Sequence, residues 1–177
     1  MKGILSFIML SLLVPVFSFA NPERNGENRS ARASFGFSLQ DWNQDFGMGI
    51  SITSPWFLYQ KASIKLSGNV LFKEDNQWEP YYAVRLGCIG GNFMESADIR
   101  LYGEGGFLFL FPTQTFDSSS FRFGGYGHFG FEFFLSTKKW ASSYFIELGS
   151  NGINATTNTG NSYGNGFAAA CGFRIYP

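Results

Sequence analysis

The stretch that decides the fold is FRFGGYGHFGFEFFL, residues 121–135, with six phenylalanines, four glycines and the chain's sole histidine. Taken two by two it separates into unlike sets. Phe121, Phe123, Gly125, Gly127, Phe129, Phe131 and Phe133 form one. Arg122, Gly124, Tyr126, His128, Gly130, Glu132 and Phe134 form the other, which holds every ionisable group. Period-two alternation is the mark of a β-strand with chemically different faces. The length of the run exceeds an ordinary strand of 5–6 residues.

The same alternation recurs along the chain. Ala62, Ile64, Leu66, Val70 and Phe72 oppose Lys61, Ser63, Lys65, Ser67 and Asn69. Leu86 and Cys88 oppose Arg85; Leu101 and Phe107 oppose Arg100 and Glu104; Ile146 and Leu148 oppose Glu147; Phe173 and Ile175 oppose Arg174. The pattern predicts eight strands, near 31–40, 46–53, 56–72, 80–91, 97–111, 121–135, 140–150 and 163–176. Helical periodicity is absent. The joins predict alternating lengths: tight at 53–55, 92–96 and 136–139, and longer at 41–45, 73–79, 112–120 and 151–162.

Charge decides between two architectures. Charged residues are 15% of the chain and aromatics 19%, against about 25% charged in an average soluble domain. A water-facing barrel would carry its charges outward at roughly 25–35% of the surface. Here the polar face is mostly Gly, Ser, Ala and Tyr, with one or two charges per strand. That composition suits a narrow lumen, and the apolar face then meets lipid. The predicted fold is an all-β, eight-stranded antiparallel up-and-down transmembrane barrel, closed because lipid offers no partner to a free strand edge.

The chain begins MKGILSFIMLSLLVPVFSFA, a basic start, an apolar centre and small residues at the end, as in a cleavable secretory signal. The expected organisation is a signal peptide at 1–20, a polar segment at 21–30 and the barrel at 31–177. Thirteen basic and thirteen acidic residues give no net charge that would point to nucleic acid. Trp56, Trp78, Tyr81, Tyr82, Trp140 and Tyr163 fall near strand ends, where ring side chains settle at headgroup level. Cys88 and Cys171 lie within strands and read as small buried hydrophobes or, less favoured, a disulfide.

Signal sequence, eight amphipathic strands and alternating joins together resemble the small eight-stranded outer-membrane barrels: the transmembrane domain of OmpA, OmpX and the OmpW-like proteins. The resemblance is architectural and spans the chain after the signal. It implies the bacterial outer membrane as location, lipid as surroundings and a monomer. Such barrels end in an aromatic residue, whereas this chain reads Phe173-Arg-Ile-Tyr-Pro177. The resemblance implies a structural or surface-interaction role without catalysis or cofactor. A narrow channel for small solutes is the first alternative. A lipid A-modifying enzyme and a soluble lipocalin-like binder, its phenylalanines lining a cavity, are the others. Loops 73–79, 112–120 and 151–162 are the candidate contacts for an extracellular ligand.

The candidate site residues are the sparse ionic groups of the polar face: Lys65, Arg85, Arg100, Glu104, Arg122, His128, Glu132 and Glu147. They are expected to form a lumen network, structural or gating, with Arg85 paired to Glu104 and His128 between Glu104 and Glu147. A resemblance to the barrels that deacylate lipid A would imply a serine two residues after the histidine on one strand; here the position two after His128 is Gly130. One histidine and two scattered cysteines make no metal site.

Overall fold

The computed structural model describes residues 32–75, 77–94, 98–135 and 141–177. The expected signal peptide, the segment 21–30 and Trp140 lie outside them. Eight strands follow one another: β1 (Ser34–Trp42), β2 (Asp45–Thr53), β3 (Ala62–Asp75), β4 (Gln77–Phe93), β5 (Ile99–Pro112), β6 (Arg122–Leu135), β7 (Ala141–Ile153) and β8 (Gly166–Tyr176). Each pairs antiparallel with its neighbour in sequence, and β1 pairs with β8, so the sheet is a closed barrel with no edge. The closing register sets Phe35 against Ile175 and Trp42 against Ala168.

The two faces separate as the alternation requires. Phe35, Ile50, Leu66, Phe107, Phe123, Phe129, Leu148 and Phe167 stand on the outside. Rings overlap across the β5–β6 ladder, where Phe107 stacks on Phe123 with centroids 5.7 Å apart. Lys65, Arg85, Arg100, Glu104, Glu132, Glu147 and Arg174 are inside, none more than 4% exposed. Phe116, Phe134 and Phe145 are buried, whereas most of the strand phenylalanines stand on the outer face.

The connections depart from expectation in the first half of the chain. Residues 41–45 are a two-residue hairpin turn: Trp42 pairs with Asp45, and Asn43 and Gln44 have φ of 52° and 83°. Two positive φ values mark the type I′ turn, whose twist matches the strands it joins. Residues 73–79 form a continuing ladder, Lys73 against Glu79 and Glu74 against Trp78. Turn-forming residues there masked a strand extension. Conversely β3 starts at Ala62, not near 56. Residues 54–61 make a longer connection, in which Leu58, Tyr59 and Gln60 all have left-handed φ. From β4 onward the longer connections, residues 113–121 and 154–165, lie at one end as expected, while residues 95–97 and 136–140, where tight joins are expected, lie outside the described residues.

Two further expectations change. Trp78 and Tyr82 lie on the outside, but Trp56, Tyr81 and Tyr163 are buried. They fill the barrel's ends, because parity and loop packing point them inward. Cys88 and Cys171 are free. Both have the parity of the apolar face, and Cys88 is exposed on it rather than buried. They belong to β4 and β8, which are not neighbours.

Candidate functional site

The lumen is filled by side chains in three tiers, ordered along β5 as Arg100, then Tyr102 and Glu104, then Leu108 and Leu110. In the tier nearest the chain termini, Glu132 gathers four donors. Arg174 Nη1 lies 3.0 Å and Arg100 Nη1 3.5 Å from its Oε2. Ser143 Oγ donates to Oε1 at 2.6 Å, and the Tyr176 hydroxyl donates to the same oxygen. The Arg100 guanidinium lies over the rings of Trp56 (3.8 Å) and Phe93 (4.3 Å). Flat aromatic faces attract a cation and shield it from water at that mouth.

Lys65 is the hub of the middle tier. Its Nζ is 2.7 Å from Glu104 Oε2 and 2.8 Å from Glu147 Oε1. Each carboxylate takes a further hydroxyl: Tyr126 donates to Glu104 Oε1 at 2.7 Å and Tyr102 to Glu147 Oε1 at 2.7 Å. Arg174 Nη2 completes Glu147 at 3.1 Å and so links the two tiers. Buried ions persist when they are paired and hydrogen-bonded: Glu104 is bonded through both oxygens, whereas Glu147 takes Lys65, Tyr102 and Arg174 all on Oε1.

The partner of Glu104 is thus Lys65, not Arg85. Register explains it: Arg85 stands opposite Leu108, and the position opposite Glu104 on β4 is Ile89. Arg85 turns to neutral groups instead. Its Nη2 donates to Gln40 Oε1 at 2.6 Å, and its Nη1 faces His128 Nδ1 at 3.3 Å. Trp42 and Tyr126 present their rings to it at 4.8 and 5.2 Å. Gln40 is oriented by Asn69, whose Oδ1 accepts from Gln40 Nε2. His128 Nδ1 lies 4.0 Å from Glu147 Oε2, a looser approach than to Arg85.

The third tier closes the other mouth. Trp42, Leu71, Tyr81, Leu108, Leu110, Phe116 and Tyr163 form one buried cluster. Tyr81 stacks with Phe116 at 6.0 Å and meets Tyr163 edge-on at 5.0 Å. The loops 113–121 and 154–165 supply Phe116 and Tyr163 and are tied down by two carboxylates. Asp45 accepts from the Tyr81 hydroxyl (2.8 Å) and the Gly164 amide (2.9 Å), and Lys73 lies 3.0 Å away. Asp117 takes Arg122 in a two-pronged contact, 2.9 Å at each nitrogen, with the Ser119 amide and the Tyr163 hydroxyl at 2.8 Å. Burial pushes the Asp117 carboxyl up, but the bonds from Arg122, Ser119 and Tyr163 outweigh it and hold the group at about 2. Burial, then hydrogen bonding to Asp117, raises Tyr163.

Seven of the eight candidate residues are brought together inside. Arg122 is set apart: it holds the loop at the far mouth through Asp117. Sequence reasoning left out Arg174, Gln40, Tyr102 and Tyr126, which bond the network, and Asp45 and Asp117, which tie the cap. Arg174, Tyr102, Tyr126 and Gln40 carry the inward parity, and that signal was available. Asp117 sits in a loop with no periodicity to place it.

His128 is 6% exposed and enclosed. Ser143, an inward serine bonded to an acid, serves Glu132 in the tier below. Among the described residues the outer face shows no serine, histidine and acid together, and none of the described groups of His, Cys, Asp and Glu is arranged to hold a metal ion.

No family model matches the chain, and no curated protein matches it. Among solved structures the chain is similar to the N-terminal β-barrel domain of Pseudomonas aeruginosa OprF, with a TM-score of 0.56 at 12% identity over 82% of this chain and 96% of that one. At that identity the likeness is one of fold: a closed eight-stranded antiparallel barrel.

Proposed function

We propose that this chain is an integral outer-membrane barrel with a structural or surface-interaction role, its lumen shut, and no catalytic function. The observation that carries the reading is the inversion of polarity. Phenylalanine, leucine and isoleucine cover the outside while the ions are enclosed, a distribution that only a hydrocarbon exterior makes favourable. Strands of 9–17 residues span the ~9–11 needed for a tilted crossing. Residues 1–20 would direct export, with cleavage near Ala20, and the chain termini would face the periplasm. The loops 113–121 and 154–165 would then be the outer surface, available to an extracellular ligand, and the barrel would be monomeric in lipid.

The lumen residues Lys65, Arg85, Arg100, Glu104, His128, Glu132 and Glu147 act structurally in this reading, holding strands together across the interior. Arg122 holds the cap. The channel alternative requires these same bonds to open. Planar bilayer recording tests it. The parent barrel and Glu104→Ala both leave the bilayer silent, because the aromatic tier still fills the mouth. Steady conductance in either overturns the shut-lumen reading. Membrane residence is tested separately: the protein requires detergent and shows heat-modifiable gel mobility, whereas solubility without detergent defeats the proposal.

A further inference from the structure

The connection between β2 and β3, residues 54–61, carries its apolar side chains outward. Phe57 and Ala62 exchange two backbone hydrogen bonds, at 2.8 and 3.1 Å, and the Lys61 carbonyl accepts from the Gly91 amide at 2.9 Å. The turn Leu58-Tyr59-Gln60 therefore stands on the end of the β3–β4 ladder. Its three residues have φ of 49°, 59° and 61°. Glycine, asparagine and aspartate take that backbone most readily, and ordinarily one residue at a time. Leucine and tyrosine hold it here at a cost in backbone energy, and the conformation leaves both outside: Leu58 is 67% and Tyr59 96% exposed.

The two residues before the turn fix its direction. Trp56 is buried in the mouth, under the Arg100 guanidinium. Phe57 faces the other way, because opposite Ala62 it takes the outward parity of Ile64 and Leu66. The apolar outer face thus runs from Leu66 through Ile64, Ala62 and Phe57 to the tip. Met94, exposed at the end of the adjacent β4, adds to it on the same rim. Lys61 is the one charged residue of 54–61. The far mouth makes the contrary choice: its loop tips expose Thr115, Ser118, Asn158 and Thr159 and bury Phe116 and Tyr163. A contiguous apolar surface left uncovered marks a contact with a partner or a membrane, and continuity with the outer belt selects the membrane.

We propose that the tip Phe57-Leu58-Tyr59 is an interfacial anchor, seated in the phospholipid headgroup layer at the mouth where the chain termini lie. The tyrosine ring and the leucine enter the boundary between headgroups and acyl chains, and the Lys61 ammonium reaches back to lipid phosphate. The inference rests on the membrane reading above.

The test uses the full barrel refolded into vesicles of phosphatidylcholine and phosphatidylglycerol, with Cys88→Ala and Cys171→Ala and a nitroxide at Gln60→Cys, which leaves Leu58 and Tyr59 in place. Reference labels are Leu66→Cys in the outer belt and Thr159→Cys at a far loop tip. Power saturation compares collisions with oxygen and with a water-soluble nickel chelate. The Gln60 label is severalfold less open to nickel than the Thr159 label, and Leu58→Asp with Tyr59→Asp brings it level with Thr159. Nickel access at Gln60 equal to that at Thr159, with Leu66 still closed, overturns the anchor and leaves the membrane reading standing. Leu66 open to nickel defeats the membrane reading, and the anchor with it. Should the two aspartates prevent folding, Tyr59→Asp alone raises nickel access at Gln60; no rise overturns the anchor.

Discussion

Lys65→Met puts the ionic interior to its most direct test. The change keeps the length of the side chain and removes one charge. Glu147 keeps Arg174 Nη2 at 3.1 Å and the Tyr102 hydroxyl at 2.7 Å. Glu104 keeps only the Tyr126 hydroxyl at 2.7 Å. It becomes a buried carboxylate without a cation, a situation that costs about 3–5 kcal/mol. With a urea slope of roughly 2 kcal/mol/M, the unfolding midpoint falls by about 1.5–2.5 M. The second half of the test is Lys65→Met with Glu104→Gln. The glutamine keeps an oxygen for Tyr126 and removes the stranded charge, so the double variant recovers part of the loss. The expected coupling between the two sites is about 2–3 kcal/mol, at the upper end for residues in direct contact. Urea titration of the refolded barrel in detergent, followed by tryptophan fluorescence and gel mobility, reads both. A drop below about 1 kcal/mol in the single variant, where a stranded buried charge should cost at least 3, refutes the reasoning. So does a double variant no more stable than the single.

Two other outcomes follow from the same coordinates. A β-carbon on Gly149 would sit 2.0 Å from the Gly127 carbonyl and 2.5 Å from His128 Cδ2, so Gly149→Ala lowers stability by about 1–3 kcal/mol; outward Gly127 has nothing within 4 Å, and Gly127→Ala stays within about 0.5 kcal/mol, both by urea titration. Asp117 is held at about 2 in the fold, below its unfolded value near 3.9; its contribution of about 1–2 kcal/mol after solvent screening is present above pH 4 and lost as pH falls from about 4 to 2. Amide protection factors, taken against the intrinsic rate at each pH, therefore fall in 113–121 and 154–165 over that window in the parent and show no such step in Asp117→Asn.

Parity made most of the barrel legible, because one rule places every strand residue once one face is known to be apolar. It placed Lys65, Arg85, Arg100, Glu104, His128, Glu132 and Glu147 inside without any contact being known. Parity does not set heights. Arg85 and Glu104 share a face on adjacent strands, but the stagger of the register puts Leu108 opposite Arg85, and no sequence signal fixes stagger in a barrel closed by eight strands. Turn chemistry misled in both directions. The polar run KEDNQWE reads as a loop yet forms a hairpin extension. The apolar run Trp56-Phe57-Leu58-Tyr59 reads as strand, yet three consecutive left-handed residues turn the backbone there. Tyr81 and Tyr163 looked like interfacial rings for a similar reason: position near a strand end was read, and side was not. Tyr81 has the inward parity of Ala83 and Arg85 and packs on Phe116.

The ions also bear on why the register is unique. An apolar lumen under an apolar exterior would make the two faces of each strand nearly equivalent, and a one-residue slip exchanges faces completely. In β5 such a slip would turn Arg100 and Glu104 to the outside and bring Leu101, Phe107 and Phe109 into a lumen already filled by Tyr126 and Phe145. An arginine facing lipid costs about 2–4 kcal/mol at the midplane, before the loss of its partners inside is added. β3 would pay the same for Lys65, β4 for Arg85 and β8 for Arg174, so slips are opposed strand by strand around the barrel. β1 and β2 carry no lumen cation or glutamate. Their register rests on the Asn43-Gln44 turn, on Trp42 and Gln40 packed against Arg85, and on Asp45 bonded to Tyr81 and Gly164. The register of the β1–β2 hairpin is therefore specified by its turn, by Asp45 and by contacts to groups that belong to other strands.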